Sequence, residues 1–124
     1  MFKITPKYKV SVSGNSYYFI ELEDDVEFEV KDLKQLVELE KELSGKILPV
    51  LVVCPPNATT NNELLDYISK NKNNPFSKAD AFVIFSLAQK ILANVYIKLK
   101  NSERPVKFFT KKEDALKWLT QFID

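Results

Sequence analysis

The sequence contains no histidine, although it has 124 residues. This absence excludes the side chain that most often transfers protons near neutral pH, imidazole metal ligands, and every nucleophile paired with a histidine base. Cys54 is the single cysteine, so the chain cannot form an internal disulfide or a zinc site built from several thiolates. The composition therefore predicts a cytoplasmic protein outside the histidine-dependent enzyme classes.

Glycine is almost as scarce, because only Gly14 and Gly45 are present. Neither lies where a predicted strand turns into a helix, so the chain has no glycine-rich loop that could hold the phosphates of a nucleotide. No group of side chains has the spacing of a metal site either. We therefore expect no cofactor and no metal.

Long hydrophobic runs are also missing. The longest run, residues 47–54, is interrupted by Pro49 and is far shorter than the ~20 residues that span a bilayer. The first six residues lack the apolar core of a signal peptide. These features predict a chain that does not insert into a membrane.

Charge is spread unevenly along the chain. Residues 1–62 carry 7 basic and 10 acidic side chains, and residues 63–124 carry 11 and 7. Each excess is either a binding surface or a solvated face. The aromatic residues 17–19 are followed directly by acidic residues 21–29, which would repel phosphate. The sequence therefore predicts no binding of nucleic acid.

The first part of the chain has the pattern of a β-hairpin. Residues 8–13 and 17–23 are rich in aromatic and β-branched side chains, and a turn signal at Gly14 and Asn15 separates them. Residues 26–30 then alternate apolar and acidic side chains, which is typical of a short extended segment with one buried face.

A helix and a buried strand follow the hairpin. The helix is predicted to open at Asp32, with Gln35 as its capping partner three positions later, and to end at Gly45. Residues 50–54 are continuously apolar, as in a strand of a parallel sheet that is covered on both faces. Pro49 marks the expected beginning of this strand, because proline cannot donate to a central ladder.

The same order of helix and strand continues along the chain. Thr60 and Glu63 predict a capping box at the start of a short second helix. The polar residues 70–78 predict a loop, and the apolar residues 81–85 predict the next strand.

The third helix has the clearest apolar stripe. Ser86 and Gln89 predict its capping box, residues 105–109 predict the last strand, and Thr110 with Glu113 predicts the start of a fourth helix. The stripe predicted to pack on the sheet consists of Leu87, Ala88, Ile91, Leu92, Val95 and Leu99. The whole pattern predicts an α/β fold in which an N-terminal β-hairpin precedes mainly parallel strands alternating with four helices, in a single domain over residues 1–124.

Few side chains have the setting of a catalytic group. Cys54 follows a buried strand, where α/β proteins often place reactive groups, but no histidine can activate it. Pro55 and Pro56 also prevent a helix from starting directly after it. We interpret Cys54 as a packed core thiol, with a nucleophile as the alternative, and the pair Asp24 and Asp25 as part of a turn.

Three hydroxyl groups lie near predicted helix starts. Thr59 and Thr60 precede the second helix, whose dipole would stabilise a phosphate on either side chain. A simple N-cap is the competing interpretation for Thr60. Ser86 has the same two interpretations, an N-cap or a contact to a ligand or partner.

Two segments of the C-terminal half, residues 81–98 and 105–119, resemble the bacterial STAS/SEC14-like proteins with the SpoIIAA-like fold. The recognisable parts are the helix start at Ser86, Asn94 within the same helix, and Pro105 at the start of the last strand. The closing helix over residues 113–119 and the strand segment 49–52 add to the similarity.

The resemblance implies a SpoIIAA-like β-α superhelix used for regulation or protein binding, often without catalysis. STAS proteins commonly carry a phosphorylatable serine at the start of the helix after the central strand. Residues 55–60 contain no serine, so only Thr59 or Thr60 could take that role here.

We therefore predict a non-enzymatic regulatory or interaction domain that binds a protein partner or itself as a homodimer. The expected contact surface is the loop with Asn57, Thr59 and Thr60, together with Ser86. The alternative is a SEC14-like carrier of a small apolar ligand, which requires a closed apolar cavity of about 300 Å³ or more. An enzyme that uses Cys54 or the carboxylates is the third hypothesis.

Overall fold

The computed structural model describes all residues, 1–124. Eight strands are present: β1 (Phe2–Ile4), β2 (Tyr8–Ser13), β3 (Tyr17–Leu22), β4 (Glu27–Phe28), β5 (Leu48–Val53), β6 (Thr59–Thr60), β7 (Ser77–Val83) and β8 (Val106–Phe109). Four α-helices accompany them: α1 (Val30–Leu43), α2 (Asn62–Ile68), α3 (Leu87–Leu99) and α4 (Lys112–Leu119). Single turns of 3-10 helix lie at Asn71–Asn73 and Thr120–Phe122.

Six strands form the main sheet in the order β1-β2-β3-β5-β7-β8. The pairs β1–β2 and β2–β3 are antiparallel, and β3, β5, β7 and β8 run parallel to one another. The two short strands β4 and β6 pair separately and in parallel. The predicted α/β architecture, with a hairpin before mainly parallel strands and four helices, is therefore confirmed. Strand β1 was not predicted.

Helices cover the main sheet on both faces, as the apolar strand β5 predicted. Val50 and Val52 pack on one side with residues of α1 and α2, whereas Leu51 packs on the other with Ala115 and Leu119 of α4. The side chains of a strand alternate between the two faces, so a strand between two helical layers is apolar at every position.

The predicted start of α1 is wrong by three residues, because the N-cap is Glu29 and not Asp32. The helix begins at Val30, and the Asp32 carboxylate accepts a hydrogen bond from the backbone N–H of Glu29 at 2.8 Å. Asp32 also accepts from Lys7 Nζ at 2.9 Å, which raises the pKa of the Lys7 ammonium group. Gln35 caps nothing and instead accepts a hydrogen bond from the Tyr8 hydroxyl.

Two other predicted capping boxes are also wrong. Thr60 lies in β6, where its hydroxyl donates to the carbonyl oxygen of Phe28 at 2.6 Å, and Asn61 caps α2 by accepting from Leu64 N at 2.9 Å. Helix α4 begins after Lys111 without a side-chain cap, so Thr110 does not cap it. The box of Ser86 and Gln89 at α3 is confirmed.

Two strand boundaries differ from the prediction. Strand β7 begins at Ser77, not at residue 81, because the polar side chains of Ser77 and Asp80 bond to each other and are buried. Strand β5 includes Leu48 and Pro49, and its register with β7 shifts between Leu48 and Val50. The shift accommodates the missing N–H group of proline within the strand.

The predicted inward stripe of α3 is wrong for four of its six residues, since Leu87, Ala88, Ile91 and Leu99 are exposed, whereas Leu92 does line the space between helix and sheet. Leu87, Ile91 and Leu99 are 74%, 56% and 72% exposed, and the side chains that α3 buries are those of Gln89, Ala93 and Tyr96. Gln89 and Tyr96 carry polar groups, so hydrophobicity alone centred the predicted contact of α3 with the sheet on the wrong side of the helix.

No helix in the structure combines the length and apolar character needed to cross a membrane.

Candidate functional site

The loop that follows β5 carries three of the four predicted site residues. Asn57 is exposed, and its backbone N–H and Nδ2 donate to the Asp24 carboxylate at 2.8 and 3.2 Å. Thr59 is exposed, and its backbone N–H donates to Val26 O at 2.9 Å. The Thr60 hydroxyl is held by β4, as described above. The loop is thus fixed to residues 24–28 by side-chain and backbone hydrogen bonds.

Gln89 joins this loop to the start of α3. Its Oε1 accepts from the backbone N–H groups of Phe85 and Ser86 at 2.7 and 3.1 Å. Its Nε2 donates to three loop carbonyl oxygens, those of Cys54 at 3.2 Å, Pro55 at 2.6 Å and Ala58 at 2.9 Å. The structure therefore brings Ser86 next to the predicted loop. The sequence pattern predicted Gln89 only as a capping residue. Its bonds to carbonyl groups distant in sequence have no local sequence pattern that could predict them.

Cys54 lies directly behind the loop and faces the interior. Burial raises the pKa of its thiol to about 12, so the reactive thiolate form is strongly disfavoured. This environment agrees with a packed core thiol.

Asp24 and Asp25 lie in the turn before β4, where Asp24 binds Asn57 and Asp25 has a positive φ of 62°. No group of three or more His, Cys, Asp or Glu side chains is arranged to hold a metal ion.

A cavity of about 120 Å³ lies between α3, α1, α2 and the parallel strands. Its lining is mainly apolar and includes Val52, Cys54, Phe82, Leu92 and Phe108. A pocket that encloses a drug-sized ligand usually has a volume of about 300 Å³ or more. The cavity is smaller, so the SEC14-like carrier alternative is not favoured.

Buried polar groups lie at one side of this cavity, whose lining includes Asp80 and Glu40. Arg104 Nη2 and Nε lie 2.6 and 2.9 Å from Asp80 Oδ2, and both side chains are 3% exposed. Glu40 of α1 is also buried, and its Oε1 has no hydrogen-bond partner in the protein. Burial and the nearby Asp80 charge raise the pKa of Glu40 to about 8, against a smaller opposing effect of Arg104.

The opposite side of α3 presents a continuous apolar surface. Leu87, Ile91, Val95 and Leu99 follow one another at four-residue spacing, and we call these residues the α3 ridge. Val95 is half-buried and the other three are exposed. Phe85, directly before Ser86, is 51% exposed and lies at the same end of the helix.

These features define a SpoIIAA-like α/β domain in which the loop after the central strand adjoins an exposed helix. A crystal structure of an uncharacterized protein of the DUF3478 family from Shewanella loihica PV-4, described as having a SpoIIAA-like fold, is similar to the chain. The TM-score is 0.58 at 19% sequence identity, over 90% of this chain and 91% of that one. The similarity confirms the predicted SpoIIAA-like fold.

The family itself follows from the sequence. Residues 15–123 match the model of a domain of unknown function, DUF7793, and the chain belongs to that family. No curated protein matches the chain.

Proposed function

We propose that the chain is a non-enzymatic interaction domain that binds a second copy of itself through the α3 ridge. SpoIIAA-like domains are generally non-enzymatic, which is consistent with this assignment. The observation that carries the proposal is the exposure of Leu87, Ile91 and Leu99 on the outer side of a helix that buries Gln89 instead. A continuous exposed apolar surface of this kind marks an interaction site.

The spacing of the ridge favours a second α3 helix as its occupant. Rows of side chains four residues apart pack into the grooves between the same rows of another helix, which is the most common helix packing class. A twofold dimer uses the same surface on both copies, so one ridge supplies both sides of the contact. Lys90 and Lys98 flank the ridge and are exposed, so their ammonium groups can stay in water while the apolar side chains are covered.

The four residues predicted from the sequence contribute to this surface to different extents. Ser86 lies at the N-terminal end of the ridge, between the exposed Phe85 and Leu87. Its hydroxyl and that of Thr60 already hold backbone groups. We propose Asn57 and Thr59, which are exposed, as the polar rim of the contact. Thr59 is the one hydroxyl of the set that we propose as a phosphorylation site.

Sedimentation velocity tests the proposal. The wild-type chain is expected to form a reversible dimer between about 5 and 200 µM, and Ile91→Glu should be monomeric because it buries a charge in the contact. Ile97→Glu is the matched control, since Ile97 is 59% exposed on the same helix, against 56% for Ile91, but lies off the ridge. Thr59→Glu should weaken the dimer less than Ile91→Glu, because rim residues contribute little to affinity.

Two results would overturn the proposal. One is a wild-type chain that stays monomeric over the whole concentration range. The other is equal loss of association in Ile91→Glu and Ile97→Glu, which would place the contact elsewhere on the helix. Far-ultraviolet circular dichroism of each variant separates loss of association from loss of fold.

A further inference from the structure

The cavity beneath α3 has two sides of different chemistry. The sheet side is apolar and includes Val52, Phe82 and Phe108, whereas α3 faces the cavity with Ala93 and Tyr96 among others. Ala93 is 6% exposed, and its short side chain leaves the space between helix and sheet open to a further group. A small residue of α3 thus faces the apolar strands across the cavity.

One polar atom of a residue that lines this cavity makes no hydrogen bond within the protein, Oε1 of Glu40, a residue that is 1% exposed. The Tyr96 hydroxyl group, in contrast, has the Ser102 side chain as a hydrogen-bonding neighbour. Buried polar groups in folded proteins are almost always hydrogen-bonded, because a group without a partner keeps the full cost of its desolvation. Glu40 Oε1 therefore points to a ligand group that supplies the missing bond.

The charged neighbours restrict the kind of ligand. Arg104 directs its three guanidinium nitrogens to Asp80, the Asn71 side chain and the Ile68 carbonyl oxygen and does not line the cavity, so it is not placed to bind an anion there. An anionic ligand would also face the Asp80 carboxylate. A cationic ligand would need Glu40 to ionise within an apolar cavity, and burial opposes that ionisation. A neutral polar group hydrogen-bonds to Glu40 without an unpaired charge in the cavity and without ionisation of Glu40.

The volume restricts the body of the ligand. An apolar protein cavity of roughly 150 Å³ binds benzene. The present cavity of about 120 Å³ is close to that size and is too small for a lipid chain. We propose that this cavity binds a small neutral amphiphile with a compact apolar body of about the size of phenol and one hydroxyl or amide group that hydrogen-bonds to Glu40.

Phenol is a suitable probe, with benzoate and benzylammonium as charged probes and benzene as the apolar probe. Phenol titrated into the labelled wild-type chain at pH 6.5 is expected to shift the amide NMR signals of residues around the cavity in a saturable way, with a Kd of roughly 1 mM. The two charged probes should bind at least about tenfold more weakly, because each brings an unpaired charge into the cavity.

Matched variants locate the site. Ala93→Leu places a larger side chain in the cavity and should weaken phenol binding at least about tenfold, whereas Asn94→Leu makes the same replacement at the next, exposed position and should leave it unchanged. Glu40→Gln keeps a donor and an acceptor and should preserve the preference for phenol over benzene. Glu40→Leu should abolish that preference.

The proposal fails if phenol causes no saturable shifts near the cavity, because water alone would then satisfy Glu40. It also fails if Ala93→Leu and Asn94→Leu bind phenol equally well, or if benzoate binds as tightly as phenol. If Ala93→Leu does not fold, the comparison of Glu40→Gln with Glu40→Leu decides.

Discussion

Gln89 shows how one side chain can fix a whole junction. It caps α3 through Ser86 and at the same time binds three carbonyl groups of the loop after β5. Gln89→Leu removes all of these bonds while keeping a side chain of similar size. We expect a loss of roughly 3 kcal/mol in the free energy of unfolding, measured by urea denaturation. The control is Gln121→Leu, at an exposed position, which should cost less than about 0.5 kcal/mol.

Glu40 makes stability depend on pH in a direction opposite to that of most carboxylates. Its pKa is about 8 in the folded chain and near the ordinary value of 4.5 in the unfolded chain. Between these values the unfolded state releases a proton that the folded state keeps, so the free energy of unfolding falls as pH rises. The slope from this one group is at most about 1.4 kcal/mol per pH unit, and it disappears below pH 4.5 and above pH 8.

Glu40→Gln should therefore gain stability relative to the wild-type chain as pH rises from 5 to 8. Urea denaturation at several pH values across this interval measures the difference. Glu38→Gln is the control, because Glu38 is exposed on the same helix. A wild-type slope equal to that of Glu40→Gln would show that Glu40 ionises normally in the folded chain.

At the scale of elements, α3 and α4 differ in how much of their apolar surface is covered by the sheet. Leu119 of α4 is fully buried, whereas Leu99 of α3 is 72% exposed. Leu119→Ala should cost about 3 kcal/mol of unfolding free energy, and Leu99→Ala less than about 0.5 kcal/mol. Urea denaturation followed by Trp118 fluorescence measures the free energy of unfolding of both variants. The lowest usable protein concentration keeps a contribution from dimers small. Equal losses would show that Leu99 is packed within the monomer.

The capping boxes show where sequence reasoning succeeds and where it stops. The pattern of a short polar residue followed three positions later by Glu or Gln identified Ser86 correctly, but it failed at Asp32, Thr60 and Thr110. At Thr60 the hydroxyl binds a carbonyl group of β4, which is distant in sequence. A local pattern cannot reveal such a competing partner, so element types were predicted better than their first residues.

At the scale of the whole molecule, the topology was predictable and the cavity was not. Apolar strands alternating with helices imply a parallel sheet covered on both faces, whatever the details of packing. Glu40 has charged neighbours in sequence, Lys41 and Glu42, and a pattern of this kind indicates a solvated helix surface. In the structure Glu40 is buried near Asp80 and Arg104, which come from distant parts of the chain. The candidate site therefore required coordinates.

Arg104 connects those distant parts. Its guanidinium group binds Asp80 of β7, the carbonyl oxygen of Ile68 at the end of α2, and the Asn71 side chain in the link between them. Arg104→Met leaves the Asp80 carboxylate buried without its counter-ion. We expect a loss of about 3–5 kcal/mol in the free energy of unfolding, measured by urea denaturation, and little change in the control Lys107→Met, which alters an exposed lysine of β8.

The same variant tests whether the polar cluster acts as a unit. Asp80→Asn should cost less in the Arg104→Met background than in the wild-type chain, because the charge that needs Arg104 is then gone. Arg104 also lowers the pKa of Glu40, so Arg104→Met should extend the pH-dependent fall in stability above pH 8. Additive losses together with an unchanged pH profile would mean that Arg104 stabilises the fold through packing alone, independently of Asp80 and Glu40.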